Sequence, residues 1–96
     1  MHSIFEWDPG KEIANRRKHG ISFYEATTAF YDPDALYKAD PDHSIDEERF
    51  LLIGMSETMN LLVISHCYRS EDRNIRIISA RRADAEEAQD YRRKLQ

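Results

Sequence analysis

Apolar residues along this chain follow two spacings, one helical and one of strand type. Phe23, Ala26 and Phe30 stand at i, i+3 and i+7, one face of a helix. Ser22 and Glu25 ahead of them make a capping-box sequence, in which the glutamate is expected to return to the serine N–H. Asp32-Pro33-Asp34 ends that helix. An earlier helix is marked by Asp8 as N-cap and Pro9 in the first helical position, and it stops at Gly20 after Lys18 or His19. Residues 4–7 form a short extended lead-in.

Further on the spacing shortens. Residues 50–55 and 61–67 are apolar runs of strand length, and the short connection 56–60 makes them a hairpin. Residues 35–39 are a weaker strand, and 40–48, polar and containing Pro41, a loop with room for one helical turn. Residues 70–74 read as a polar turn and 75–79 as a third strong strand. Asp84 and Glu87 make a second capping box, opening a final helix to about residue 95 with Ala88, Tyr91 and Leu95 as its apolar stripe. The order α-α-β-β-β-β-α predicts an α+β fold: two N-terminal helices, a four-stranded antiparallel sheet and a C-terminal helix. The helices are expected on one face, leaving the other for a site.

Ninety-six residues allow one core, so residues 1–96 read as a single domain. The net charge of −4 argues weakly against a nucleic-acid ligand, but the charge is unevenly placed. Residues 1–48 hold 5 Lys/Arg against 11 Asp/Glu, and residues 49–96 hold 9 against 7. A polyanion responds to the local field, so an arginine-bearing half keeps that ligand open. The lone Cys67 forms no internal disulfide and reads as a buried thiol. No leader-like stretch opens the sequence and no apolar run is long enough to span a bilayer, so a cytoplasmic protein without a membrane partner is expected. Histidine and cysteine spacings fit no metal site, and the scattered glycines make no phosphate loop. Neither a metal nor a cofactor is expected.

The chemistry lies with cations and a few carboxylates. Residues 75–82 read IRIISARR. Arg76 either sits on an open sheet face, pairs with Glu48 across strands, or joins Arg49, Arg69 and Arg81 in a phosphate-gripping cluster, for which the guanidinium fork is suited. In a regular strand Arg76 and Ser79 point to opposite faces, so Arg76 and Arg81 converge only if the chain turns or bulges after Ser79. Lys18 and His19 either complement the macrodipole of the first helix or act as phosphate ligand and proton acceptor. Glu48 is a charged strand entry or an acceptor for a 2′-hydroxyl proton. His66 is a core histidine or a base at the sheet edge.

Together these residues resemble a known family. FEWDP at 5–9, Asn15, KHGISF at 18–23, Glu25-Ala26, Phe30, Asp32-Pro33, Glu47-Glu48-Arg49, Ile53-Gly54, IRIISARRA at 75–83, Glu87 and Tyr91 resemble, in order, the BrnT toxins of bacterial type II toxin–antitoxin systems. The resemblance implies a RelE-like ribonuclease that arrests translation by metal-independent attack of the RNA 2′-hydroxyl. It implies a BrnA-type ribbon-helix-helix antitoxin, with operator DNA bound through the toxin–antitoxin complex. Its polar residues map to His19, Glu48, Arg76 and Arg81 as catalytic candidates, and to Lys18, Arg49, Arg69 and Ser79 as RNA-binding ones. Relatives carry an acid just before the arginine that ends the second hairpin strand. Here that stretch reads His66-Cys67-Tyr68-Arg69, which passes the acid's role to Glu48, Tyr68 or His66. The alternative is a non-catalytic protein- or nucleic-acid-binding partner in an autoregulatory complex.

Overall fold

A computed structural model describes residues 4–43, 47–69, 71 and 73–95. In chain order these form β1 (Ile4–Glu6), α1 (Pro9–His19), α2 (Phe23–Ala29), β2 (Leu36–Ala39), β3 (Phe50–Met55), β4 (Leu61–Arg69), β5 (Asn74–Arg82) and α3 (Ala85–Lys94). A single 3₁₀ turn, Pro41–His43, opens the polar loop. The rest of that loop and the turn before β5 lie partly outside the described residues.

The helix ends follow the side chains that cap them. Asp8 accepts from the Lys11 N–H at 2.9 Å, Pro9 needs no N–H partner, and Gly20 takes φ 73° to turn the chain out of α1. Asp84 and Glu87 complete the expected box at α3. The box at α2 is only half made. Ser22 Oγ accepts from the Glu25 N–H, but the Glu25 carboxylate turns away and accepts instead from Ser56, Thr58 and Asn60 at 2.7–2.8 Å. Three donors from the β3–β4 connection outbid one serine N–H, and they tie that hairpin to α2. Burial raises the Glu25 pKa, but these hydrogen bonds outweigh it and hold the carboxyl below its usual range.

The sheet has five strands rather than four and is mixed, in the order β1-β5-β4-β3-β2. β2 through β5 are antiparallel, as expected. The lead-in is itself a strand, β1, running parallel to β5 with Ile4 beside Asn74 and Glu6 beside Arg76. Three residues pairing with a partner 70 positions away leave no local pattern to read.

Helices cover both faces, not one. α1 and α2 pack Ile21, Phe23 and Ala26 onto Leu52, Leu62, Ile64, Ile77 and Ala80. α3 sets Tyr91 against Ile53 and Val63 on the opposite face. The strands are apolar in consecutive positions because each is buried from two sides at this end. A 2.6 Å hydrogen bond from the Tyr91 hydroxyl to Asp32, and another of 2.6 Å from Lys94 Nζ to the Ala35 carbonyl, pin α3 in place. Burial first, then Asp32, pushes the Tyr91 hydroxyl up to about 12. At Gly54 an added Cβ would lie 2.9 Å from the Ala29 carbonyl, so α2 approaches β3 only over glycine.

Candidate nucleic-acid interface

The segment that carries most of the arginines is β5, and its register decides where they point. Ser79 pairs with Ser65, but His66 pairs with Ile77, so Ile78 is an extra residue, a bulge. Alternation restarts beyond it. Ile75, Ile77 and Ala80 are buried against α1 and α2, while Arg76 and Arg81 share the α3 face. The bulge falls before Ser79 rather than after it. It also carries β5 on to Arg82, three residues past the expected end.

Sharing a face does not bring the two arginines together. Arg81 stands opposite Val63 and Arg76 opposite Cys67, four positions apart on β4, or about 13 Å. Each is held by its own carboxylate. Arg81 makes a two-pronged pair with Glu87 at 2.7 and 2.8 Å, which raises the arginine pKa and holds Glu87 below its usual range. Arg76 lies 3.1 Å from Glu6 on β1, not from Glu48. Arg69 lies 3.7 Å from Glu47. Arg49 and Arg69 flank the β3–β4 ladder at the Arg76 end. The expected four-arginine cluster is therefore three at one end of the sheet and Arg81 at the other.

At the Arg81 end a basic corner forms. β1 pairs with β5 only as far as Arg76, so the outer edge of β5 is open beyond it. The buried Asn15 of α1 fills that edge: its Oδ1 accepts from the Ala80 N–H at 3.1 Å, and its Nδ2 donates to the Ala80 carbonyl at 2.8 Å and to Ile21 at 3.0 Å. The amide side chain pairs with Ala80 much as a neighbouring strand would. This seats the C-terminal turn of α1, with Arg16, Arg17, Lys18 and His19, beside the end of β5. Arg82 Nη1 comes within 3.5 Å of the His19 carbonyl. Arg82 thus joins the basic end of α1 at the β5 edge, while Ser79 and Arg81 stand on the α3 face of the same stretch of strand.

Glu48 lies elsewhere. With Glu47, Phe50 and Tyr68 it lines an open cleft of about 530 Å³ at the Arg76 end, on the α1/α2 face. Behind these walls His66 is fully buried, its ring 4.9–6.4 Å from those of Phe30, Tyr37, Phe50 and Tyr68. Burial pushes its pKa down, so the ring is neutral. Cys67 is buried, and burial, then Glu47, raises its thiol pKa. Among the described residues no three His, Cys, Asp or Glu side chains stand close enough to hold a metal ion, and no helix is long and apolar enough to cross a membrane.

The reading of the sequence missed several partners. Glu6 and Glu87 orient the two arginines, Asn15 builds the corner, and Arg82 joins it. The heavy charge of KHG and SARR marked the corner, but Glu6 sits in a strand too short to announce its neighbour.

A small α+β domain with helices on both faces of a mixed sheet and a basic corner at one strand end is suited to gripping a polyanion. The same fold occurs in the 1.1 Å crystal structure of the Brucella abortus ribonuclease toxin, BrnT, with a TM-score of 0.62 over 86% of this chain and 99% of that one, at 21% identity. No curated protein sequence matches the chain. Residues 7–87 match the family model described as the ribonuclease toxin, BrnT, of type II toxin–antitoxin systems, and the chain belongs to that family. It is therefore an RNA-cleaving toxin, not an inert binding partner, and an antitoxin partner comes with the type II system.

Proposed function

We propose that RNA is cut at the basic corner, by attack of a 2′-hydroxyl on the adjacent phosphorus without a metal ion. The observation that carries this is the gathering of Lys18, His19 and Arg82 around the β5 edge that Asn15 fills. His19 is the proton acceptor. As the 2′-oxygen bonds to phosphorus and the P–O5′ bond breaks, the 2′ proton passes to the imidazole. The leaving 5′ oxygen takes a proton from water, leaving a 2′,3′-cyclic phosphate. Arg81, oriented by Glu87, faces the charge that grows on the phosphoryl oxygens, and Ser79 donates to the backbone. Lys18 and Arg82 grip flanking phosphates.

Arg76, Arg49 and Arg69 stand at the other end of the sheet and take no part in this grip. Glu6 and Glu47, paired with Arg76 and Arg69, leave that end with little net positive field. Glu48 lies about 17 Å of strand from the Arg81 position, too far to serve the same phosphorus. The antitoxin is of the BrnA ribbon-helix-helix type, the pair binds its operator through it, and the toxin acts on RNA in the cytoplasm.

Purified protein with EDTA tests the reading on an RNA and on the same sequence carrying 2′-deoxy sugars. Cleavage of the RNA alone, with cyclic-phosphate ends, is expected. No cleavage by the pure wild type would sink the assignment, and loss of cleavage with EDTA would sink the metal-free route. Arg81→Ala is expected to reduce the rate more than Arg76→Ala.

A further inference from the structure

The cleft at the far end from the basic corner has no part in the chemistry above, yet its lining is specific. Its walls are the rings of Phe50 and Tyr68, with centroids 5.4 Å apart, and its charged groups are the carboxylates of Glu47 and Glu48. Glu48 is exposed, and Glu47 reaches Arg69 only at 3.7 Å. Behind the rings lies His66. Its Nδ1 is 3.1 Å from the Ile64 carbonyl, which can only accept, so Nδ1 carries the proton and Nε2 is left as an acceptor. Nε2 is buried and meets no donor. The exposed ring of Tyr37, 6.4 Å from that of His66, extends the aromatic surface beside it.

The two carboxylates only accept, and they stand beside aromatic faces. A ligand that answers them offers donors only, carries positive charge and stacks flat on a ring. A guanidinium does all three. A nucleotide is the poorer fit. Its phosphate meets two carboxylates there, and the cation beside them, Arg69, is already matched by Glu47 at 3.7 Å, while the basic corner lies beyond the screening length of about 8 Å at physiological salt.

We infer that the cleft receives an arginine side chain from a basic segment of a protein partner, its guanidinium on Glu48 and against Phe50 and Tyr68. A volume of about 530 Å³ far exceeds one guanidinium, as suits a side chain delivered with its flanking backbone. This deepens the partner reading above, and rests on it only in supposing that a protein partner exists. A toxin held at this end leaves its basic corner to be masked by a different part of the partner.

The test is an NMR titration of the full chain with acetyl-Gly-Arg-Gly-amide, its citrulline counterpart and guanosine 5′-monophosphate, run beside the RNA-cleavage assay. The arginine peptide is expected to shift the amides of Glu48, Phe50 and Tyr68 in a saturable way. The neutral citrulline peptide should bind at least about tenfold more weakly, as should the arginine peptide to Glu48→Gln. Glu48 is exposed, so the rest of the variant's spectrum should be unchanged. The inference fails if these amides do not respond, if citrulline binds equally, or if the nucleotide moves them and the arginine peptide does not. Cleavage without peptide binding removes this inference and leaves the nuclease mechanism standing. Peptide binding without cleavage does the reverse.

Discussion

The two ends of the central strands present opposite chemistry within one small domain. At one end the basic last turn of α1 lies beside Arg81 and Arg82 of β5, and of Lys18, His19, Arg81 and Arg82 only Arg81 has a carboxylate partner among the described residues. At the other end the cations are matched: Arg76 with Glu6 and Arg69 with Glu47, while Glu48 stands with aromatic rings. The separation exceeds the screening length, so a ligand meets each field nearly alone. With RNA at the basic corner, as proposed, a net charge of −4 is no obstacle to a nucleic-acid ligand. Local arrangement, rather than the sum, sets what each end attracts.

The sharpest way to break the contrast is to remove the proposed proton acceptor. His19→Gln is expected to slow RNA cleavage by about 10²–10⁴-fold. Glu48→Gln in the same assay should cost less than about tenfold. The opposite order in single-turnover rates would move the chemistry to the cleft.

Next comes the architecture of the corner. Asn15→Ala strips both backbone groups of Ala80 of their partner inside a buried edge, at a cost of about 3 kcal/mol or more in urea unfolding. A change under about 1 kcal/mol would mean that water takes over this role easily. Glu87→Gln keeps the shape but removes the charge that aligns Arg81, and cleavage should fall about tenfold with little change in RNA affinity. An equal loss of affinity would make the pair a binding contact.

The cleft end should show itself in pH. His66 has a lower pKa folded than unfolded, so the unfolded chain binds the extra proton as the pH drops below about 6.5. Its contribution is complete above that pH and is lost on acidification. Glu25, Asp32 and Glu87, all held low in the fold, act in a more acid window, below about 4.3. His66→Phe should flatten the urea midpoint between about pH 6.5 and 5 without altering the more acid fall. A slope that persists in the variant would assign the proton elsewhere. The smallest effect belongs to the flanking cations: Lys18→Ala and Arg82→Ala should each reduce the salt dependence of single-stranded RNA binding by about 0.7 in log–log slope.

Local signals in the sequence held where local chemistry governs. Asp8, Gly20, Ser22 and Asp84 mark helix ends because each cap is made within a few residues. The strong hairpin was equally legible. What escaped depends on distant partners. Glu25 leaves its own helix end for a loop more than 30 residues on, and β1 finds β5 across most of the chain. The bulge at Ile78 hides in an unbroken apolar run, since the register that creates it belongs to β4. The two-sided cover was available in LLIGM and LLVIS, where successive residues are apolar, but a single-face sheet was read from them. Among the candidate residues, Lys18, His19 and Arg81 stand out by charge and position, and Ser79 through the family resemblance. Their separation from Glu48 and Arg76 was not, because which strand end a residue occupies is a property of the sheet.

The pairing of Asn15 with Ala80 has a consequence for the protein's manufacture. The amide that organises the corner is made early in synthesis, and its backbone partner follows 65 residues later. A ribosome making this enzyme therefore carries a chain in which this corner stays unassembled, its amide waiting on a strand that has not emerged, until β5 is made.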